Sequence, residues 1–207
     1  MMRLIYVHDP MCSWCWGFTA AFNQLVEALS GRVEVVRLLG GLAEDTAETM
    51  STEMQTVIMT TWQRIETVIP GVTFNYNFWH HCQPRRSTYP ACRAVIAARQ
   101  QGTAHDVAMT TAIQRAYYQQ ALNPSDDETL IQLAADLRLD IQQFTCDLGR
   151  SETHVQLKEE MDTARRLGVD SFPSLLVQGA RRHWHIPVNY TDASPMLEMI
   201  DEILGAQ

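Results

Sequence analysis

Twelve residues into the chain, Cys12-Ser13-Trp14-Cys15 stands directly behind the apolar run Leu4-Ile5-Tyr6-Val7 and in front of an amphipathic stretch. Two thiols three positions apart at the first turn of a helix can close a disulfide and reopen it by exchange, so thiol redox chemistry is the leading reading of the pair. The same spacing also occurs in zinc sites. Its meaning lies in its setting, which here is strand, short turn, helix.

Behind the motif, Phe18, Phe22, Leu25, Val26 and Leu29 recur at helical spacing, and Gly31 suits a left-handed helix end. Arg32 to Leu39 is rich in β-formers and stops at Gly40-Gly41. The opening segment therefore reads β-α-β, a unit that joins parallel strands by a right-handed crossover.

From Glu44 to Leu167 helical periodicity takes over. Met50, Met54, Val57, Ile58 and Ile65 form one stripe; Ala91, Ala94, Val95 and Ala98 form a second behind Pro90. Met109, Ala112, Ile113 and Ala116 make a third. Ser125-Asp126-Asp127-Glu128 reads as a capping box that opens a fourth at Leu130, Leu133, Ala134 and Leu137. A last helix runs from Ser151 to Leu167 and ends at Gly168, while Pro70 to Pro90, without clean periodicity, reads as a structured loop.

Strand character returns at Ser174–Val177 and, after a turn at Gln178-Gly179-Ala180-Arg181, at His183–Ile186. Ser194 and Pro195 then open a closing helix with Met196, Met199, Ile200 and Ile203 inward. The expected organisation is a discontinuous α/β domain from 1–43 and 168–207, with an all-helical subdomain inserted at 44–167.

At 207 residues and 46% hydrophobic content the chain can bury a substantial core. A formal net charge of -8 with no long basic run argues against nucleic acid or an anionic membrane as partner. Too few apolar residues precede His8 and Asp9 to form a signal-peptide core, and no segment approaches the ~18 apolar residues of a membrane span, so the expectation is a cytoplasmic protein. Five cysteines at irregular spacing do not make a secreted disulfide framework. Cys82, Cys92 and Cys146 read as reduced, buried thiols that act as small hydrophobes.

With Gly168-Val169-Asp170-Ser171-Phe172-Pro173 placed just before the third strand, the chain resembles the thioredoxin-fold proteins of the DsbA family, whose helical domain is inserted at this place. Cys12-Ser13-Trp14-Cys15-Trp16-Gly17 is similar to the FrnE-like cytosolic branch, whose members are described as candidate protein-disulfide isomerases. The resemblance implies a thioredoxin-like fold: a mixed four-stranded sheet built as β-α-β and then β-β-α. It also implies that Cys12 attacks the substrate, that Cys15 resolves the mixed disulfide, and that Pro173 is cis and faces Cys12. The backbone of Phe172 is then free to pair with a substrate peptide.

The N-terminal position in the helix supports this, because unpaired N–H groups and the positive end of the helix dipole favour thiolate over thiol. Ser13-Trp14 supplies a hydroxyl and an indole where DsbA has Pro-His, so the expected couple is a weaker oxidant than the about -120 mV of DsbA, between about -180 and -250 mV.

Trp14, inside the dipeptide, reads equally as an apolar platform for substrate and as packing, whereas Trp16, Phe18 and the methionine stripe read as core. His8 and Ser13 are the auxiliary candidates, His8 as a proton shuttle or simply a turn residue. Asp9 reads as a turn former. His80-His81-Cys82 resembles part of a metal site, but no metal is expected. Arg85-Arg86 and Arg181-Arg182 read as solvated surface, with contact to glutathione carboxylates as the lesser alternative.

The resulting expectation is a thiol:disulfide oxidoreductase or isomerase acting on protein or low-molecular-weight disulfides. No cofactor beyond the redox-active pair is expected, and glutathione is a candidate co-substrate. One rival is a glutathione-dependent transferase or isomerase of the kappa-class or 2-hydroxychromene-2-carboxylate isomerase type, which usually has serine where this chain has Cys12. The other is a non-catalytic module in which Cys12 and Cys15 hold structural zinc.

Overall fold

The computed structural model describes residues 2–206. Strand β1 (Arg3–His8) is followed by helix α1 (Ser13–Ala28) and strand β2 (Glu34–Leu39). Helices α2 (Thr52–Val68), α3 (Phe78–His81), α4 (Tyr89–Gln100), α5 (Ala104–Tyr118), α6 (Asp127–Asp136), α7 (Ile141–Leu148) and α8 (Ser151–Arg166) come next. The chain then returns as β3 (Ser174–Gln178), β4 (His183–Ile186) and α9 (Ser194–Gly205). The sheet order is β2-β1-β3-β4. β1 pairs with β2 in parallel and with β3 antiparallel, and β3 pairs antiparallel with β4. This is the thioredoxin-like α/β sheet that the resemblance implies.

All of β1 after Arg3 is buried, as a central strand covered on both faces requires. Leu4 and Tyr6 pack with Phe18, Phe22 and Leu25 of α1 and Met196 and Ile200 of α9. Ile5 and Val7 face the other way, against Leu176, Ala164 and Val169. Side chains such as Phe18, Phe22 and Leu25 contribute about 1.5–3 kcal/mol each by leaving water, so α1 is fixed to the sheet along its whole length. A separate core, built around Trp62, Ile96, Met109, Tyr118 and Phe144, holds the helices of the middle of the chain together.

An ion network ties those helices to the sheet. Arg37 on β2 donates to Asp106 of α5 at 2.8 Å, and Arg99 of α4 donates to the other oxygen of Asp106 at 2.7 Å. Arg99 also donates to Glu160 of α8 at 2.6 Å, and the second oxygen of Glu160 accepts from the backbone N–H of Leu39 at 2.8 Å. Beyond β2 the chain passes Gly40, where a Cβ would lie 2.1 Å from the Phe172 ring, so only glycine lets that ring pack on the backbone here.

Several local expectations are corrected. Met50 lies ahead of α2, whose cap is Ser51 accepting from the Met54 N–H. Ser125 caps nothing: its hydroxyl donates to the Ser87 carbonyl at 2.6 Å, and Asp126 takes the cap position without a side-chain hydrogen bond. The Pro70 to Pro90 segment contains the short helix α3, and α7, absent from the sequence reading, is capped by Asp140 accepting from Gln143 N–H. Cys146 is exposed and Cys82 half-buried, so of the three extra thiols only Cys92 is in the core. Cys146 sits on the polar side of the short amphipathic helix α7, which periodicity alone did not reveal.

Arg99 joins two carboxylates that are about nine-tenths buried, and removing one partner of such a set leaves charge uncompensated. Arg99→Ala is therefore expected to lower stability by about 2–3 kcal/mol, measured as the urea unfolding free energy at pH 7.

Candidate active site

Strand β1 ends at His8, and Asp9 starts the turn that carries Cys12 to the start of α1. The Cys12 N–H closes the turn on the Asp9 carbonyl at 3.1 Å, and Cys12 takes the N-cap position with φ -79° and ψ 117°. Its own carbonyl accepts from Trp16 N–H at 3.1 Å, so the helix starts directly at the thiol. With no acidic side chain in the first turn of α1, nothing there offsets the positive end of the helix at Cys12.

The Cys12 Sγ lies 3.6 Å from the carbonyl oxygen of Phe172, and the Phe172–Pro173 peptide is cis. Cys12 is 7% exposed and Cys15 is completely buried. Burial above all pushes the Cys15 thiol well up from its ordinary value, followed by its hydrogen bond to Cys12 and the Cys12 charge. Both cysteines are free thiols in this structure.

A cavity of about 490 Å³ opens beside Cys12. One wall is Met50, Met54, Val57 and Ile58 from α2 and the loop before it; the other is Trp14 and Phe172. Arg85 and Arg86 also line it. Arg85 is already held by Asp126 and by the Ser125 carbonyl. The methionine stripe that periodicity assigned to the core therefore faces the cavity beside the thiol. A stripe at helical spacing has the same pattern in either setting.

Trp14 packs on Tyr190 at 5.1 Å between ring centroids, with the Arg64 guanidinium 5.6 Å over its face. The Ser13 hydroxyl accepts from Trp62 Nε1 at 2.9 Å, which fixes the dipeptide to α2. Trp16 stacks on Tyr118, and Phe18 is buried against Tyr6 and Tyr190. Tyr190 is a site residue with no signal in the sequence, because it comes from the irregular segment between β4 and α9. Burial first, then the charges of Cys12 and Cys15, push its hydroxyl up to about 12.

The structure changes two readings of the β1 terminus. His8 is not a turn residue but the last residue of β1: it is completely buried, stacked on Tyr6 at 4.8 Å, and among the described residues neither ring nitrogen has a partner. Asp9 is more than a turn former. Its Oδ1 accepts from Met11 N–H at 2.8 Å, and its Oδ2 accepts from Leu42 N–H and the Thr88 hydroxyl, both at 2.7 Å, and from the Cys92 thiol at 3.5 Å. The Cys82 thiol donates to the Ala121 carbonyl, and among the described residues no group of three His, Cys, Asp or Glu side chains is arranged to hold a metal ion.

The family profile described as Thioredoxin matches residues 5–193, and the chain belongs to that family. A candidate protein disulfide isomerase of Nitrosomonas europaea superposes with a TM-score of 0.87 at 25% identity, covering 100% of this chain and 98% of that one. The cytosolic disulfide reductase DsbM of Pseudomonas aeruginosa superposes with a TM-score of 0.80 at 20% identity, covering 99% of this chain and 100% of that one, and has also been solved with glutathione. The ClpXP adapter protein SpxH of Bacillus subtilis is 26% identical over 168 residues, 81% of this chain. The chain spans only 55% of that relative's length. No helix among the described residues is long and apolar enough to cross a membrane. The fold and family are thus those of the thioredoxin-like proteins.

His8 gives the site region an acid sensitivity. Burial, then the charges of Arg37 and Arg99, hold its pKa well below 6.5, whereas the unfolded chain protonates this side chain near pH 6.5. Stability from neutral His8 is therefore present above about pH 6.5 and is lost as pH falls below it, by up to ~1.4 kcal/mol per unit. Between pH 7.5 and 5 the wild type is expected to lose about 1–2 kcal/mol more than His8→Phe, compared by urea midpoints.

Proposed function

We propose that the protein is a thiol:disulfide oxidoreductase or isomerase of the cytoplasm, acting on disulfide-bonded proteins or low-molecular-weight thiols through a Cys12 mixed disulfide that Cys15 resolves. The observation that carries this reading is the difference between the two thiols. Cys12 caps α1 at the mouth of the cavity, whereas Cys15 is sealed one turn deeper and reaches only what is bound to Cys12.

In this cycle the Cys12 thiolate attacks a substrate sulfur and the substrate's other sulfur leaves as a thiol. Cys15 then attacks Cys12, releasing the second substrate thiol and leaving the Cys12–Cys15 disulfide. Two electrons pass from the pair to the substrate, and glutathione is the proposed co-substrate that restores the dithiol. The likeness to a disulfide reductase that has been solved with glutathione supports that choice. No other cofactor is assigned.

Trp14, Phe172 and Pro173 are the proposed substrate contacts. A peptide laid along the cavity meets the Phe172 carbonyl on one side and the apolar α2 wall on the other. Ser13 is proposed to hold the dipeptide through Trp62 rather than to touch substrate. We further propose that residues 44–167 act as one inserted helical unit whose α2 edge closes the substrate cavity over the domain formed by 1–43 and 168–207.

A second reading draws on the SpxH likeness: a protein adapter that grips its partner without exchange. The two readings part on covalent chemistry. Cys15→Ser is expected to accumulate disulfide-linked adducts with a reporter protein such as scrambled ribonuclease, visible on non-reducing gels, and Cys12→Ser to form none. Equal trapping by both variants, or by neither, would remove the assigned roles.

A further inference from the structure

Asp9 is the most deeply placed carboxylate near the thiol pair. It is completely buried, and among the described residues no cation pairs with it: burial is set against four hydrogen-bond donors alone. All four partners donate. The Thr88 hydroxyl accepts from Ala43 N–H at 3.1 Å, and its own proton points to Asp9 at 2.7 Å. This donor set favours the carboxylate, whereas burial, the largest influence, pushes its pKa up.

That charge is close to the dithiol. Asp9 and Cys12 lie in one turn, closed by the 3.1 Å bond from Cys12 N–H to the Asp9 carbonyl. At an effective dielectric constant of about 20, two unit charges within roughly 12 Å change an equilibrium tenfold or more, and the ends of a hydrogen-bonded turn stand less than about 7 Å apart between Cα atoms. After burial and Cys12, which push the Cys15 thiol up, an Asp9 backbone hydrogen bond lowers it and the Asp9 charge raises it. Three of the four donors, Met11, Leu42 and Thr88, line the cavity at Cys12. The carboxylate thus touches both the charge balance and the walls of the site.

We propose that Asp9 is a positioning residue that holds the Cys12 turn against the Leu42 loop and the start of α4, and whose buried negative charge keeps the Cys12–Cys15 pair on the reducing side. A negative charge beside the pair disfavours thiolate, which is present only in the reduced state, so the balance moves toward disulfide and electrons leave the pair more readily. The inference rests on the redox reading of Cys12 and Cys15. It goes beyond that reading by assigning the poise to a residue outside the motif.

Other titratable groups also face this carboxylate. Cys15 approaches from α1 and Cys92 from α4; the Tyr117 hydroxyl on α5 feels its charge, and Glu160 of α8 acts on Cys92. None of these brings a positive charge. Arg86 acts on Tyr117 together with Asp9, and Arg37 and Arg99 act on the adjacent His8, so cations stand around the carboxylate without pairing with it.

The test compares wild type, Asp9→Asn and Thr88→Val. Each is equilibrated at pH 7 in buffers where the reduced pair and glutathione disulfide exchange with the Cys12–Cys15 disulfide and two glutathione thiols. Alkylation of Cys12 by iodoacetamide is followed in parallel by peptide mass analysis. Asp9→Asn is expected to favour the reduced pair by up to about tenfold, up to about 30 mV toward a more oxidising potential, and to speed alkylation of Cys12. Thr88→Val removes a donor from a carboxylate whose pKa burial already raises, which weakens its charge, so it is expected to move both readings the same way by a smaller amount.

A merely structural Asp9 predicts lower stability in both variants with neither reading moved. Unchanged readings, or a shift to a more reducing potential or slower alkylation in either variant, overturn the proposal. An amide at Asp9 sets an NH₂ group against these donors, so if Asp9→Asn does not fold, Thr88→Val decides: a more oxidising potential and faster alkylation support the proposal, and anything else overturns it. A wild type without a two-electron transition would remove the redox reading, while the alkylation rates still decide the role of Asp9.

Discussion

The interaction on which the site depends is a buried carboxylate with four donors and no cation. Isolating a charge from water costs far more than any one hydrogen bond returns, so a site of this kind exists only when its whole donor set is in place. At Asp9 the donors come from the Cys12 turn, the loop after β2, the Thr88 turn and Cys92 on α4. Withdrawing any one of these segments leaves charge uncompensated. The geometry at Cys12 is therefore assembled together with the contact between sheet and helices, as one cooperative event.

A second set of charges works at the same seam. Arg37, Asp106, Arg99 and Glu160 alternate in sign from β2 through α5 and α4 to α8, and Glu160 returns to the Leu39 backbone. Burial, reinforced by the two cations near the end of β1, keeps His8 neutral, and among the described residues neither of its ring nitrogens has a partner. Tyr190 completes the join from the far side, packing against both the sheet-side core and the helical core, with Trp14 between it and the solvent. The thiol pair sits where these contacts converge.

Much of this was legible in the chain. The order of elements follows from periodicity: the apolar runs of β1 and β3, the stripes of α4, α5 and α6, and the glycines that end α1 and α8 with positive φ. The motif was legible because Cys12-Ser13-Trp14-Cys15 sits between a strand and a helix. What stayed hidden depends on three-dimensional neighbours. Ser125 has the composition of a cap, yet its hydroxyl is drawn to Ser87 across the fold. Met50 and Met54 have the spacing of core residues, but α2 lies at the seam and turns them toward the cavity. Asp9 looks like any turn residue until Thr88 and Cys92, far along the chain, close on it.

The arrangement also explains why one thiol of the pair takes the substrate. Cys12 has the helix N-terminus behind it, the Phe172 carbonyl beside it and the cavity in front, so a sulfur bound there is presented to an apolar wall and to an exposed peptide edge. Cys15 has none of these. It lies against the sheet-side core, and its environment holds it as a thiol until a neighbour takes its proton. In the proposed cycle that neighbour is the departing substrate sulfur, which leaves as a thiol, and the step opens once Cys12 is bound to substrate, because the mixed disulfide removes the Cys12 charge that disfavours a second thiolate. Resolution is thus linked to capture by electrostatics. The Asp9 carboxylate, buried in the same turn, is proposed to set the level against which that exchange is balanced.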